Sequence, residues 1–361
     1  MRSIPRLIPH SFLRLVPRPV PRLTQRLTQR LTPRLTSPLI RLLTPLLFGI
    51  AALTALPLQA QPKTFPDHAL RLIVPFTAGG NADVVARMVA QGMGEQLKQS
   101  VIVENRPGAN AMIGAELVAR ATPDGYTMML ATAESHAINP HIYKKVNYDA
   151  VKDFTPVGVI GHFPFALVIN PKLPVANLTE FIDYAKKNKG KLNFASWGVG
   201  STSQITFEQL KQTAGIDLVH VPYQGAAPAI TALAGGQVDA FMVPLTVAVP
   251  QAKSGRVKLL GVTTAQRVAT ASDIPTLTEQ GVPVVSGGWH VLVVPKATPA
   301  EVVNQLNRAL LATTSAATMR ESLLKAGVDP ANTTPPEAEK MLFAEWQRWG
   351  KVAREAGVQA D

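Results

Sequence analysis

Cysteine is absent from all 361 residues. That excludes disulfide staples, a thiolate zinc site and lipid attachment through a leader cysteine. Aromatic residues make up only 6% of the chain, and no acidic residue precedes Asp67, whereas nine arginines lie between Met1 and Ala60. Taking those nine from the 36 basic residues leaves 27 against 24 acidic ones, so the net charge of +12 belongs mostly to the first segment. A nucleic-acid surface would spread basic residues through the folded part with aromatics among them, and this chain does not. No apolar run of about 20 residues follows Ala60, so the remainder is expected to be soluble and unanchored.

Enzyme signatures are missing as well. GxGxxG, GxxxxGK[ST] and HExxH do not occur, and WGVGSTS lacks the G-x-S-x-G order that would expose Ser201 as a nucleophile. Seven histidines are scattered, none paired at i,i+4, and His136 and His141 are separated by Pro140. Neither a metal nor a cofactor is implied, and no residue is assigned to catalysis.

What is present begins with a leader. Residues 1–60 read as a signal peptide with an extended basic n-region: arginines from Arg2 to Arg41, then the apolar stretch Leu42 to Leu58, then LQA before Gln61. Leu58 and Ala60 suit signal peptidase, and Pro45 and Pro57 weaken the competing reading of a retained membrane anchor. The proline-rich repeat QRLTQRLTPRLTSP is read as unselected upstream sequence in preference to a membrane- or RNA-binding arm.

Beyond Gln61, short β-type runs alternate with helical patterns. Leu70–Pro75, Val101–Glu104, Thr127–Ala131, Phe165–Ile169, Leu192–Ala195, Leu218–Val221, Val238–Val243, Val257–Val262 and His290–Val294 read as strands. Helices are expected from Asp83 to Gln99, from Met112 to Ala121, over LTEFIDYAKK behind the cap pair Asn177 and Glu180, and from Pro299, Ala316 and Pro336 onward. The alternation argues for βαβ units, a mostly parallel sheet and a long two-lobed α/β unit.

Four strands run into glycine or hydroxyl loops: FTAGGNAD, ATAESHAIN, SWGVGST and PYQGAAPA. Ligands of open α/β sheets sit outside the carboxyl ends of strands, where loop amides and helix N-termini bind anions without Lys or Arg. Such a loop can hold a phosphate or a carboxylate.

VPFTAGGNADVVAR, VIVENRPGANAMIGAELVARATPDGYT, VPYQGAAPAITALAGGQVD and IPTLTEQG resemble, in order from about Leu70 to Gly357, the Bug-type receptors, periplasmic solute-binding proteins of tripartite tricarboxylate transporters. The resemblance implies a type II-like periplasmic binding protein with two α/β lobes and a ligand cleft between them. Residues 61–164 and 288–361 would form lobe 1, and residues 165–287 lobe 2. It implies a monomeric, periplasmic receptor that captures a small organic acid and delivers it to inner-membrane transporter subunits, with no catalysis.

Carried across by position, Phe76, Thr77, Ala78, Gly79 and Gly80 match the first ligand loop, with Asp83 as its N-cap and water-organising acid. Ala133 and Ser135 match the next loop. Gly198, Gly200, Ser201 and Thr202 match the second lobe's loop, and Tyr223 and Gly225 the turn that faces it. Glu104, Asn105, Arg106 and Gly108 are expected to be structural, as is PDGYT. Glu134 would oppose an anion if it faced the cleft, which would favour an amino acid or another ligand with a positive group; a surface position is expected for it. Because the first loop offers Asn81 and Asp83 but no lysine, it is read as half of a carboxylate cradle that closes around its ligand. Two competing roles are a ligand-presenting subunit for a membrane sensor kinase and an exported hydrolase using Ser201 or Ser135 with a histidine.

Overall fold

A computed structural model describes residues 64–360; the leader expected over residues 1–60 lies outside them. The first elements are β1 (Leu70–Val74), α1 (Asn81–Leu97), β2 (Val101–Asn105), α2 (Met112–Ala119) and β3 (Thr127–Ala131). A π-helical turn, Glu134–Ile138, leads into the short α3 (Asn139–Ile142) and then the long β4 (Phe154–Ile169). Next come α4 (Leu178–Lys187), β5 (Asn193–Ser196), α5 (Thr202–Ala214), β6 (Val219–Pro222), α6 (Ala226–Gly235), β7 (Ala240–Pro244), α7 (Leu245–Lys253) and β8 (Lys258–Val262). The chain ends through β9 (Gly287–Pro295), α8 (Ala300–Ser315), α9 (Ala317–Lys325), β10 (Asp329–Pro330) and α10 (Pro335–Glu355).

The strands run in the order β2-β1-β3-β9-β4-β7-β5-β6, with β8 and β10 also on β4. β4 makes two half-sheets out of one. Phe154 to Pro164 pairs antiparallel with β9, and Phe165 to Ile169 pairs antiparallel with β7 and β8. The expectation of a mostly parallel sheet is corrected here. β1 is parallel to β2 and β3, and β5 to β6 and β7, but every pairing made by β4 or β9 is antiparallel. β4 crosses from one half to the other and β9 returns, so these two must run opposite to their neighbours. The fold is a two-lobed α/β binding protein, with the cleft between the lobes.

Both faces of each half-sheet are covered. Along β4, Phe165, Leu167 and Ile169 join one cluster with Phe181 and Phe207, while Ala166 and Val168 join another with Ile230 and Leu233. In the other half, Leu72 and Leu292 pack toward α1 and α8, and Ile73 and Val291 toward α10. Burial on both faces explains why these strands read as near-continuous apolar runs. Ile205 of α5 packs in the cluster that holds Trp349 and Ala353 of α10, tying the second half to the first.

Candidate functional site

A cleft of about 510 Å³ opens where the carboxyl ends of the parallel strands converge. One wall is built by Pro75 to Thr77, Gly80 to Ala82, Pro107 to Ala111 and Thr132 to Glu134. The other is built by Trp197 to Val199, Thr202, Pro222 to Ala226 and Pro244, and Phe163, Gly288, Trp289 and His290 come from the crossing strands β4 and β9.

Several helices begin at the cleft, and two of them, α1 and α6, start on a glycine. The N-caps of α1 and α6 are Gly80 and Gly225, and neither cap supplies a side-chain hydrogen bond to the first turn. Free first-turn amides and the positive end of the helix dipole make each a place for an anion. Thr132 Oγ1 and His290 Nδ1, both on buried cleft residues, have no hydrogen-bond partner. His290 Nε2 lies 2.9 Å from Asn81 Oδ1. Burial, helped by the charge of His162, pushes the His290 pKa down to about 3, so its ring is neutral. Among the described residues no lysine or arginine lines the cleft, and Glu134 is its one charged side chain.

Glu134 departs from the expected surface position. It is 4% exposed, and its Oε1 accepts hydrogen bonds from the Thr202 amide (3.1 Å), Thr202 Oγ1 (2.8 Å) and Trp197 Nε1 (3.4 Å). The carboxylate crosses the cleft and occupies the N-terminus of α5. A second tie lies beside it, where Asn110 Nδ2 donates to Gly200 O at 3.0 Å and to Asn139 Oδ1 at 2.8 Å. Ala109, Asn110 and Ala111 all have left-handed backbones, with φ of 45°, 50° and 73°. Asn139 steadies that strained run by donating to Asn110 O at 2.6 Å.

Of the residues expected at the site, Phe76, Thr77, Gly80, Ala133, Gly198, Thr202, Tyr223 and Gly225 lie on the cleft wall, and Ala78, Gly79, Asp83, Ser135, Gly200 and Ser201 do not. Asp83 is not the N-cap either. It sits in the first turn behind Gly80 and accepts from Gly79 N–H (2.9 Å), Asn105 Nδ2 (2.9 Å) and Arg87 Nε (3.1 Å). Burial opposes its ionisation, but these bonds and the Arg87 charge outweigh burial and hold its pKa below the usual range. Ser201 caps α5, donating to Gly198 O and accepting from Gln204 N–H. Ser135 Oγ is enclosed with Thr132 and His136, away from the wall, so neither serine is placed as a nucleophile facing the cleft. Gly108, expected to be purely structural, lines the cleft together with its neighbours in the N-R-P-G-A-N turn. That loop was missed because its turn chemistry already explained its residues.

A two-lobed α/β chain with a ligand-sized cleft at the strand ends defines a solute-binding protein of the periplasmic type. The family model described as "Tripartite tricarboxylate transporter family receptor" matches residues 85–358, and the chain belongs to that family. Protein BugT of Bordetella pertussis is 31% identical to it over 313 residues, covering 86% of this chain and 94% of that one. An adipate-bound structure from R. palustris matches with a TM-score of 0.78 at 35% identity, over 82% of this chain and 99% of the other. MatC from Rhodopseudomonas palustris, with bound malate, matches with a TM-score of 0.74 at 32% identity, over 80% and 99%. The family and fold are those of solute-binding receptors, which are not enzymes.

Proposed function

We propose that this protein is an extracytoplasmic receptor that captures a small carboxylate-bearing molecule and delivers it to the membrane subunits of a tripartite tricarboxylate transporter. The observation that carries this reading is the open helix N-termini at Gly80 and Gly225 on a cleft that has no lysine or arginine among the described residues. A carboxylate bridging them would be held by main-chain amides, with Thr77 and the unpartnered Thr132 hydroxyl beside it. The adipate and malate seen in the R. palustris proteins support this ligand chemistry. Residues 64–164 with 288–360 form one lobe and 165–287 the other, since β4 changes partners between Pro164 and Phe165. The leader directs the chain to the periplasm, where it acts as a monomer.

The test is a thermal-shift screen of protein purified from the periplasm against mono-, di- and tricarboxylates and amino acids. Binding to the folded state alone raises Tm by mass action. A rise with at least one carboxylate is expected. Shifts produced only by ligands lacking a carboxylate would refute the reading.

A further inference from the structure

Glu134 gives the cleft a charge pattern that a receptor for multiply charged anions should avoid. Among the helix N-termini that reach the cleft, those of α1 and α6 carry no capping side chain, but that of α5 is already filled by Glu134 Oε1. The other oxygen, Oε2, takes no hydrogen bond among the described residues, while the residue itself lines the cleft. No cation on the wall balances it. Arg87 of α1 pairs with Asp83, and Arg106 with Glu104, all four off the wall. A ligand carboxylate placed beside the Glu134 carboxylate is repelled by it. An ammonium in the same place would donate to Oε2 beside Trp197, which contacts the carboxylate, in a cleft that Phe163 and Trp289 also line, and aromatic rings attract cations.

We propose that Glu134 determines specificity by selecting a ligand with an ammonium group at its Glu134 end and a carboxylate at the other, in preference to a di- or tricarboxylate. This rests on the carboxylate reading above and narrows it. The ligand's single carboxylate goes to an open helix N-terminus, and its ammonium to Glu134 Oε2. The ammonium then offsets the Glu134 carboxylate, which Thr202 and Trp197 hold, and the helix dipole offsets the ligand's carboxylate.

The test compares matched pairs in which one carboxylate of a diacid is exchanged for an ammonium: glutarate with γ-aminobutyrate, adipate with δ-aminovalerate, and pimelate with ε-aminocaproate. Affinities are measured by calorimetry for the wild type and for Glu134→Gln, whose amide oxygen still accepts from Thr202 and so preserves the α5 N-terminus. A thermal melt checks that the variant is folded. The wild type is expected to bind at least one aminocarboxylate about tenfold or more tightly than its diacid, and Glu134→Gln to abolish or reverse that ratio. A wild type that prefers the diacids, with the ratio unchanged in Glu134→Gln, overturns this inference and leaves the carboxylate receptor standing. Binding of neither series by either folded protein overturns this inference, and the thermal-shift screen decides the carboxylate reading separately.

Discussion

Asp83 Oδ1 accepts a hydrogen bond from Asn105 Nδ2 at 2.9 Å, joining the first residues of α1 to the end of β2. The same amide donates to Phe76 O at 3.1 Å, and Asp83 Oδ2 accepts from Gly79 N–H. One buried carboxylate therefore shapes the loop from Phe76 to Gly80 without touching the cleft itself. Asp83→Ala removes the acceptor shared by the Gly79 amide, Asn105 and Arg87, and a stability loss of about 1–3 kcal/mol is expected. Urea denaturation measures it, and ligand affinity should fall with it because Phe76, Thr77 and Gly80 lose their support. A variant with wild-type midpoint and wild-type affinity would show that the network is idle.

Thr132→Val separates binding from stability. The Thr132 hydroxyl is buried on the cleft wall with no partner, so the fold loses no hydrogen bond when it is removed. The valine variant should melt at or slightly above the wild-type temperature, while affinity for the carboxylate identified by thermal shift drops about tenfold, one hydrogen bond to a charged group. Unchanged affinity would place the carboxylate elsewhere in the cleft.

Local features of the fold were readable from sequence, and those that depend on distant partners were not. The α4 pattern and its Asn177–Glu180 cap emerge as expected, with Glu180 N–H donating to Asn177 Oδ1, because all the groups involved lie within one turn. β4 was recognised only from Phe165. Its first eleven residues contain Pro156, Gly158, Gly161 and Pro164, which punctuate a sequence reading, yet the pairing with β9 absorbs them at two register shifts. α6 escaped because AAPAITALAG is small and apolar on every side and shows no helical stripe, although its N-terminus forms part of the candidate site. The Glu134–Thr202 bonds join residues 68 positions apart. Only the tertiary contact between the two halves brings that carboxylate to a helix end, so alternation of hydrophobicity could not place it.

Acid stability should fall in two limbs. Burial pushes the His136 pKa from 6.5 down to about 3, so the folded state keeps the ring neutral while the unfolded chain protonates it. A depressed folded pKa means that this contribution is intact above 6.5 and is lost as the pH falls toward about 3. Hydrogen bonds from Arg71 lead the causes that bring Glu104 from 4.5 to about 2, against burial and with further help from Arg106. Its contribution is intact above 4.5 and is lost toward about 2. Tm measured across pH should show less decline in the upper window for His136→Gln and less in the lower window for Glu104→Gln. A decline confined below 4.5 in the wild type would rule out a neutral buried His136 as its upper source.

Gly200 and Gly79 occupy equivalent places in the two ligand loops, but substitutions there should act differently. Both have left-handed backbones, with φ of 74° and 84°. A Cβ on Gly200 would fall 2.2 Å from Ile142 Cδ1 and 3.1 Å from Asn110 Nδ2, whereas one on Gly79 would meet nothing within 4 Å. Gly200→Ala must push the α5 loop away from Ile142 and break the Asn110 bond to Gly200 O, which helps hold the lobes together. Gly79→Ala incurs only the backbone penalty, about 1–2 kcal/mol. Gly200→Ala is expected to cost about 1–3 kcal/mol more through overpacking, and to weaken ligand binding at least tenfold as the walls separate. Gly79→Ala should bind within a few-fold of wild type. Chemical denaturation and calorimetry on the two variants side by side decide it. Equal losses would mean that the Ile142 contact gives way without moving the loop, and that closure rests on Glu134 and Thr202 alone.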